Sequence, residues 1–88
     1  MRLDKFLKVS RIIKRRTIAS EAAKEDKILV NGRLAKPSFE LKVGDIITIN
    51  YFKKIMEVRV KQLFASTKKE DASEMFEVIK VVENKAVE

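Results

Sequence analysis

Three cations, Lys14, Arg15 and Arg16, stand where the apolar spacing predicts a helix to begin, and two acids, Glu25 and Asp26, stand where it ends. Peptide dipoles place partial positive charge at a helix N-terminus and partial negative charge at its C-terminus. Both clusters therefore cost stability, each by about a few tenths of a kcal/mol at an exposed site. A local rule broken without structural gain is where function is expected. Basic side chains beside unpaired helix N–H groups make a site for an anion such as phosphate. A second stretch has the opposite character. Thr67-Lys68-Lys69-Glu70 matches a capping box, and Glu70, Asp71 and Glu74 fall where the dipole favours acids.

Catalysis lacks its usual side chains. There is no histidine and no cysteine among the 88 residues, so the common general bases, thiolate nucleophiles and transition-metal ligands are missing. The carboxylates match no paired-acid or calcium-loop spacing, and Gly32 and Gly44 form no glycine-rich phosphate loop. A binding protein is expected, not an enzyme, with no metal and no cofactor. Net charge is +7, and its placement matters more than its size. Residues 1–36 hold eleven Lys/Arg and four Asp/Glu, whereas residues 37–88 hold nine of each. An excess confined to one region points to a polyanionic partner.

The length fits one domain with a modest core. Residues 2–9 read as a helix, with Leu3, Phe6, Leu7 and Ser10 on one face and Asp4, Lys5 and Lys8 on the other. Asp4 and Lys8, four apart, are spaced to pair. Ile12 and Ile13 are expected in a turn that anchors in the core. The second helix, about 16–25, is expected to face inward through Ile18 and Ala22, with Ala19 and Ala23 small enough to let another backbone come close and Arg16, Ser20 and Ala23 outward. From Ile28 the period changes to two. Asn31-Gly32 predicts a hairpin, Arg33 to Lys36 a short return strand ended by Pro37-Ser38, and Val43-Gly44-Asp45 a turn. Residues 46–52 and 55–62 read as strands joined at Lys53-Lys54, with Val58 and Val60 inward. A further helix is expected over 69–80, with Ala72, Met75, Phe76 and Ile79 on one face. Residues 83–88 are expected to fray.

The combination Arg16, Ala19, Ile28, Val30-Asn31-Gly32, Pro37-Ser38 and Gly44-Asp45-Ile46-Ile47 resembles the S-four type RNA-binding domain, also called the alpha-L motif. The start MRLDKFLKVSRIIKRR and the tail TKKEDASEMFEVI narrow the likeness to the small bacterial quality-control relatives of heat shock protein fifteen. The expected fold is therefore α+β, with two N-terminal helices packed on a small bent sheet of three to five strands, plus a C-terminal helix. Residues 1–62 would form the RNA-binding domain, and 63–88 a linker, helix and tail. Many family members carry Gly at the position of Asp26, where a left-handed exit from the helix is needed. Asp tolerates that conformation less easily than Gly.

The resemblance implies partners and a process. The partners are large-subunit rRNA and peptidyl-tRNA on obstructed large ribosomal subunits, together with a NEMF-family protein that adds C-terminal alanine tails to stalled chains. It implies an RNA surface of Arg2, Asp4, Lys5, Lys8, Arg11, Lys14, Arg15, Arg16, Thr17, Asn31, Arg33 and Lys36. Asp4 would orient Arg2 or Lys8, or accept from a ribose 2′-OH. Asn31 sets the turn more than it reads a base. Tyr51 and Phe52, being adjacent, point to opposite faces and make a weak stacking platform. A cytoplasmic monomer with no membrane contact is expected. The competing readings are a membrane-surface protein, an RNA-binding subunit or remnant of an RNA-modifying enzyme, another ribosome-associated rRNA-binding protein, and a DNA-binding protein.

Overall fold

The first helix, α1 (Leu3–Val9), is set by one apolar face: Leu3, Phe6 and Leu7 are fully buried, and Ser10 closes the same face at the helix end. In the computed structural model of the protein, placement is described for residues 1–13, 15–50, 54–63 and 69–83. The expected hairpin tip at Lys53, the aromatics Tyr51 and Phe52, Lys14, the Thr67 capping box and residues 84–88 lie outside the described residues. The start of α1 is tied to a distant loop. The N–H groups of Leu3 and Asp4 donate to the carbonyls of Phe39 and Pro37, at 2.8 and 3.1 Å.

Helix α2 (Arg16–Lys24) packs against α1 through its alanines. Ala19 and Ala23 are buried, whereas Ile18 is 50% exposed and Ala22 only partly covered. The expected inner face, Ile18 with Ala22, is thus rotated. Small side chains let the elements approach closely, and the isoleucine is left outside. The exit from α2 uses Asp26 at φ 60. Its N–H reaches the carbonyl of Ala23 at 3.3 Å, and that of Lys27 reaches Ala22 at 3.0 Å. This is the hydrogen-bond pattern of a Schellman motif, with Asp where Gly is commonest.

Among the described residues there are five strands, β1 (Ile28–Val30), β2 (Arg33–Leu34), β3 (Ile46–Asn50), β4 (Lys54–Val60) and β5 (Phe76–Glu83). They form one sheet in the order β2-β1-β3-β4-β5, antiparallel throughout. Asn31 (φ 53) and Gly32 (φ 81) make the two-residue turn between β1 and β2, both with the positive φ of a type I′ hairpin. The buried residues Ile28, Val30, Ile47, Ile49, Val58 and Val60 line the sheet face covered by the helices.

The expected C-terminal helix is not formed. Only Lys69–Met75 is helical, as a 3-10 helix, and Phe76–Glu83 continues as the edge strand β5. Ala72 and Met75 pack back on the domain, at 4% and 0% exposure, but Ile79 is 43% exposed. The spacing 72, 75, 76, 79 suits a helix, yet Val78, Ile79, Val81 and Val82 are β-branched and prefer a pleated surface. Pairing with β4 decides the outcome.

Candidate RNA-binding surface

The two helix starts differ in how they treat their backbone N–H groups. A helix leaves its first N–H groups without intrahelical partners. In α1, Leu3 and Asp4 donate to the loop carbonyls, and the N–H of Lys5 reaches Asp4 Oδ1 at 2.8 Å. In α2, the cap position is Arg15, which makes no side-chain capping bond, and the first turn contains no acid. Among the described residues, nothing accepts from the N–H groups of Thr17 or Ile18. Among the described residues, the start of α2 thus offers the Thr17 and Ile18 N–H groups to an anion, with Arg15 exposed beside them and Arg16 the first helical residue.

The acids at the other end of α2 have structural explanations. Asp26 makes the left-handed exit, and Glu25 pairs with Lys27 at 2.9 Å. Among the described residues, the basic start of α2 has no such explanation.

Lys8, Arg11, Arg15, Thr17, Arg33 and Lys36 are exposed, and Lys5 is partly exposed. Among the described residues, none of these cations has an acidic partner. Arg11 adopts φ 64, a conformation that favours glycine. The exit of α1 thus carries a cation where a smaller residue would be less strained. Nothing in the residue pattern signals this.

Asp4 lies elsewhere than expected. It is buried, with 5% of its side chain exposed, and its Oδ2 accepts from Arg2 at 3.3 Å. Lys8 makes no ion pair among the described residues. The loop at residues 37–39 accepts from the backbone at the start of α1, and a buried charge requires partners such as Arg2. Contact with Arg2 is one of the arrangements expected of Asp4. Ser10 is also buried, and its hydroxyl donates to the carbonyl of Leu7 at 3.3 Å, so it closes a helix end.

Asn31 is occupied by the turn. Its Oδ1 accepts the N–H of Ile46 at 3.0 Å, and its Nδ2 donates to Asp45 Oδ1 at 3.1 Å. Asp45 Oδ2 in turn accepts the N–H of Lys42 at 2.9 Å. This joins the Val-Asn-Gly and Gly-Asp stretches into one unit. Asn31→Ala is expected to cost about 1–3 kcal/mol, from lost hydrogen bonds and a non-glycine residue at positive φ. Asn31→Gly should cost less, because it keeps the backbone conformation. Urea denaturation of both variants checks this, and equal losses would show that the hydrogen bonds carry the whole effect.

Arg2 and Lys36 meet in a groove of 590 Å³, together with Ser20, a hydroxyl suited to a helix cap or a phosphate contact, and with Lys24 and Ser38, which lie outside the expected RNA surface. Arg33 lines a different groove, of 430 Å³, with Asn31 and Phe39. The signal for Lys24 was its spacing, four residues after Ser20, but a cation in a last helical turn reads as ordinary dipole compensation.

A small two-helix unit feeding an Asn-Gly hairpin, with an uncapped basic helix start, is the architecture of an RNA-binding α+β module. The S4 domain profile matches residues 1–47, and the chain belongs to the S4 domain family. A protein from Streptococcus pneumoniae named RQC P-site tRNA stabilizing factor is 57% identical over 79 residues, covering 90% of each chain. The protein of the same name from Bacillus subtilis is 50% identical over 80 residues, covering 91% of this chain and 93% of that one. Among solved structures, heat shock protein 15 from Vibrio cholerae, described as trimeric, matches with a TM-score of 0.82 and 25% identity. That match covers 90% of this chain and 81% of the other.

No helix among the described residues is long and apolar enough to cross a membrane.

Proposed function

We propose that this chain is a cytoplasmic RNA-binding factor of ribosome-associated quality control. It binds large ribosomal subunits obstructed by peptidyl-tRNA, contacts both the P-site tRNA and large-subunit rRNA, and supports alanine tailing by a NEMF-family protein. It acts as a monomer, by binding and not by turnover. The observation that carries the reading is the uncapped start of α2, set among exposed cations that have no acidic partner among the described residues. The names borne by relatives of 50–57% identity supply the process. The second reading, a subunit or remnant of an RNA-modifying enzyme, has no such support.

Binding is expected to be strongly salt-dependent. If about five phosphates are neutralised, log affinity against log salt should fall with a slope on the order of −4. Lys8→Glu should weaken co-sedimentation with obstructed subunits, whereas Lys80→Glu on β5 should leave it nearly unchanged. A slope near zero, or equal losses from the two reversals, would defeat the proposal.

A further inference from the structure

The groove beside the C-terminal half of α2 has a chemistry that the open helix start does not account for. Its two walls are α2, through Ser20 and Lys24, and residues 34–38, through Lys36 and Ser38; Arg2 enters from the start of α1. Arg2, Lys24 and Lys36 thus line the groove with one acid, Asp26, and Arg2 is also paired with Asp4. Lys24 and Lys36 have no acidic partner among the described residues, the nearby Glu25 being taken by Lys27. Uncompensated positive charge in a concave site concentrates anions.

Arg2 is held in place. Its guanidinium is 3.3 Å from the carboxylate of the buried Asp4, while its own side chain is 49% exposed. A planar guanidinium has five N–H donors, so one contact with Asp4 leaves others for an anion. The small residues Ala23 and Ala35 also line the groove, only 3% and 5% exposed, and leave room for close approach. Two serine hydroxyls supply neutral hydrogen bonds, and Leu34, 60% exposed, offers an apolar wall.

We propose that this groove is a second RNA-backbone site, seating one phosphodiester and its ribose. It rests on the RNA-binding reading above and extends it to Ser20, Lys24 and Ser38. Helix α2 rises about 1.5 Å per residue, so its two ends are separated by roughly 12 Å. One phosphate cannot serve both the open N–H groups and this groove. Arg2, Lys24 and Lys36 hold the phosphodiester, and the hydroxyls and Asp26 face the sugar. Asp26 can accept from a ribose 2′-OH, while the same carboxylate repels an acidic peptide.

The test uses the full chain, a fluorescently labelled RNA stem-loop and a series of salt concentrations. Lys24→Gln should weaken binding several-fold and make the salt slope shallower by about one unit, with Lys80→Gln matching the parent. Ser38→Leu, which changes no charge but fills the groove, should also weaken binding several-fold at an unchanged melting temperature. The site is overturned if Lys24→Gln keeps the parental slope, or if Ser38→Leu binds like the parent. It is likewise overturned if a heptaglutamate peptide displaces the RNA as well as unlabelled RNA does. Binding of the parent with no salt dependence would instead remove the RNA-binding reading itself.

Discussion

Arg16→Ala is expected to weaken association with obstructed large subunits by about tenfold or more while leaving the melting temperature unchanged or slightly raised. Arg16 is the first residue of α2, after an N-cap that makes no capping bond. A cation there opposes the helix dipole, so its removal should not harm folding. In the complex, the same position brings a guanidinium and the open N–H groups to one phosphate. The planar fork can engage two phosphate oxygens at once. A charge-assisted contact of this kind contributes about 1.5–3 kcal/mol, which corresponds to roughly tenfold or more in affinity. Arg16→Lys should recover only part of the loss. Thermal unfolding and co-sedimentation on the same purified variants separate the outcomes. If Arg16→Ala unfolds the domain, the residue is structural; if it binds like the parent, the open helix start is not an anion site.

The parts of the fold legible in the residue pattern are those where local chemistry leaves little choice. Asn31-Gly32 can satisfy a type I′ turn, and φ values of 53 and 81 follow. Asp26 tolerates the left-handed exit that the helix needs, at φ 60. The face of α1 follows from four positions at helical spacing. What remained hidden depends on tertiary neighbours. Ile18 is the more apolar residue of α2, but Ala19 and Ala23 permit closer packing, so the helix rotates to bury them. Asp4 falls on the charged face of α1 by spacing, yet its side chain is 5% exposed where the backbone at the start of α1 bonds to residues 37–39.

The candidate surface divides in the same way. The exposed cations Lys8, Arg11, Arg15, Arg33 and Lys36 could be read from charge placement and family likeness. Asn31 sits in the motif but spends its amide on Ile46 and Asp45. The groove could not be read, since Lys24 and Ser38 are distant in sequence and meet only once the strands bring residues 34–38 alongside α2.

The C-terminal segment gives the second large effect, because its two possible structures predict different losses. As a helix over 69–80, it would bury Met75 and Ile79 together on one face, and truncating either would cost a similar amount. As observed, Met75 ends a 3-10 helix at 0% exposure, while Ile79 lies in β5 at 43%. The Met75 carbonyl also accepts from the N–H groups of Lys61 and Gln62, at 2.8 and 3.2 Å, which fixes the segment beneath the sheet. Met75→Ala is therefore expected to cost about 2–5 kcal/mol through lost contacts and a residual cavity. A domain of this size is stable by only about 5–15 kcal/mol, so the variant should show a much lower urea midpoint. Met75→Leu conserves volume and should cost less than about 1.5 kcal/mol. Ile79→Ala removes a half-exposed side chain from an edge strand and should cost less than Met75→Ala by about 1 kcal/mol or more. Equal losses at Met75 and Ile79 would restore the helix and contradict β5.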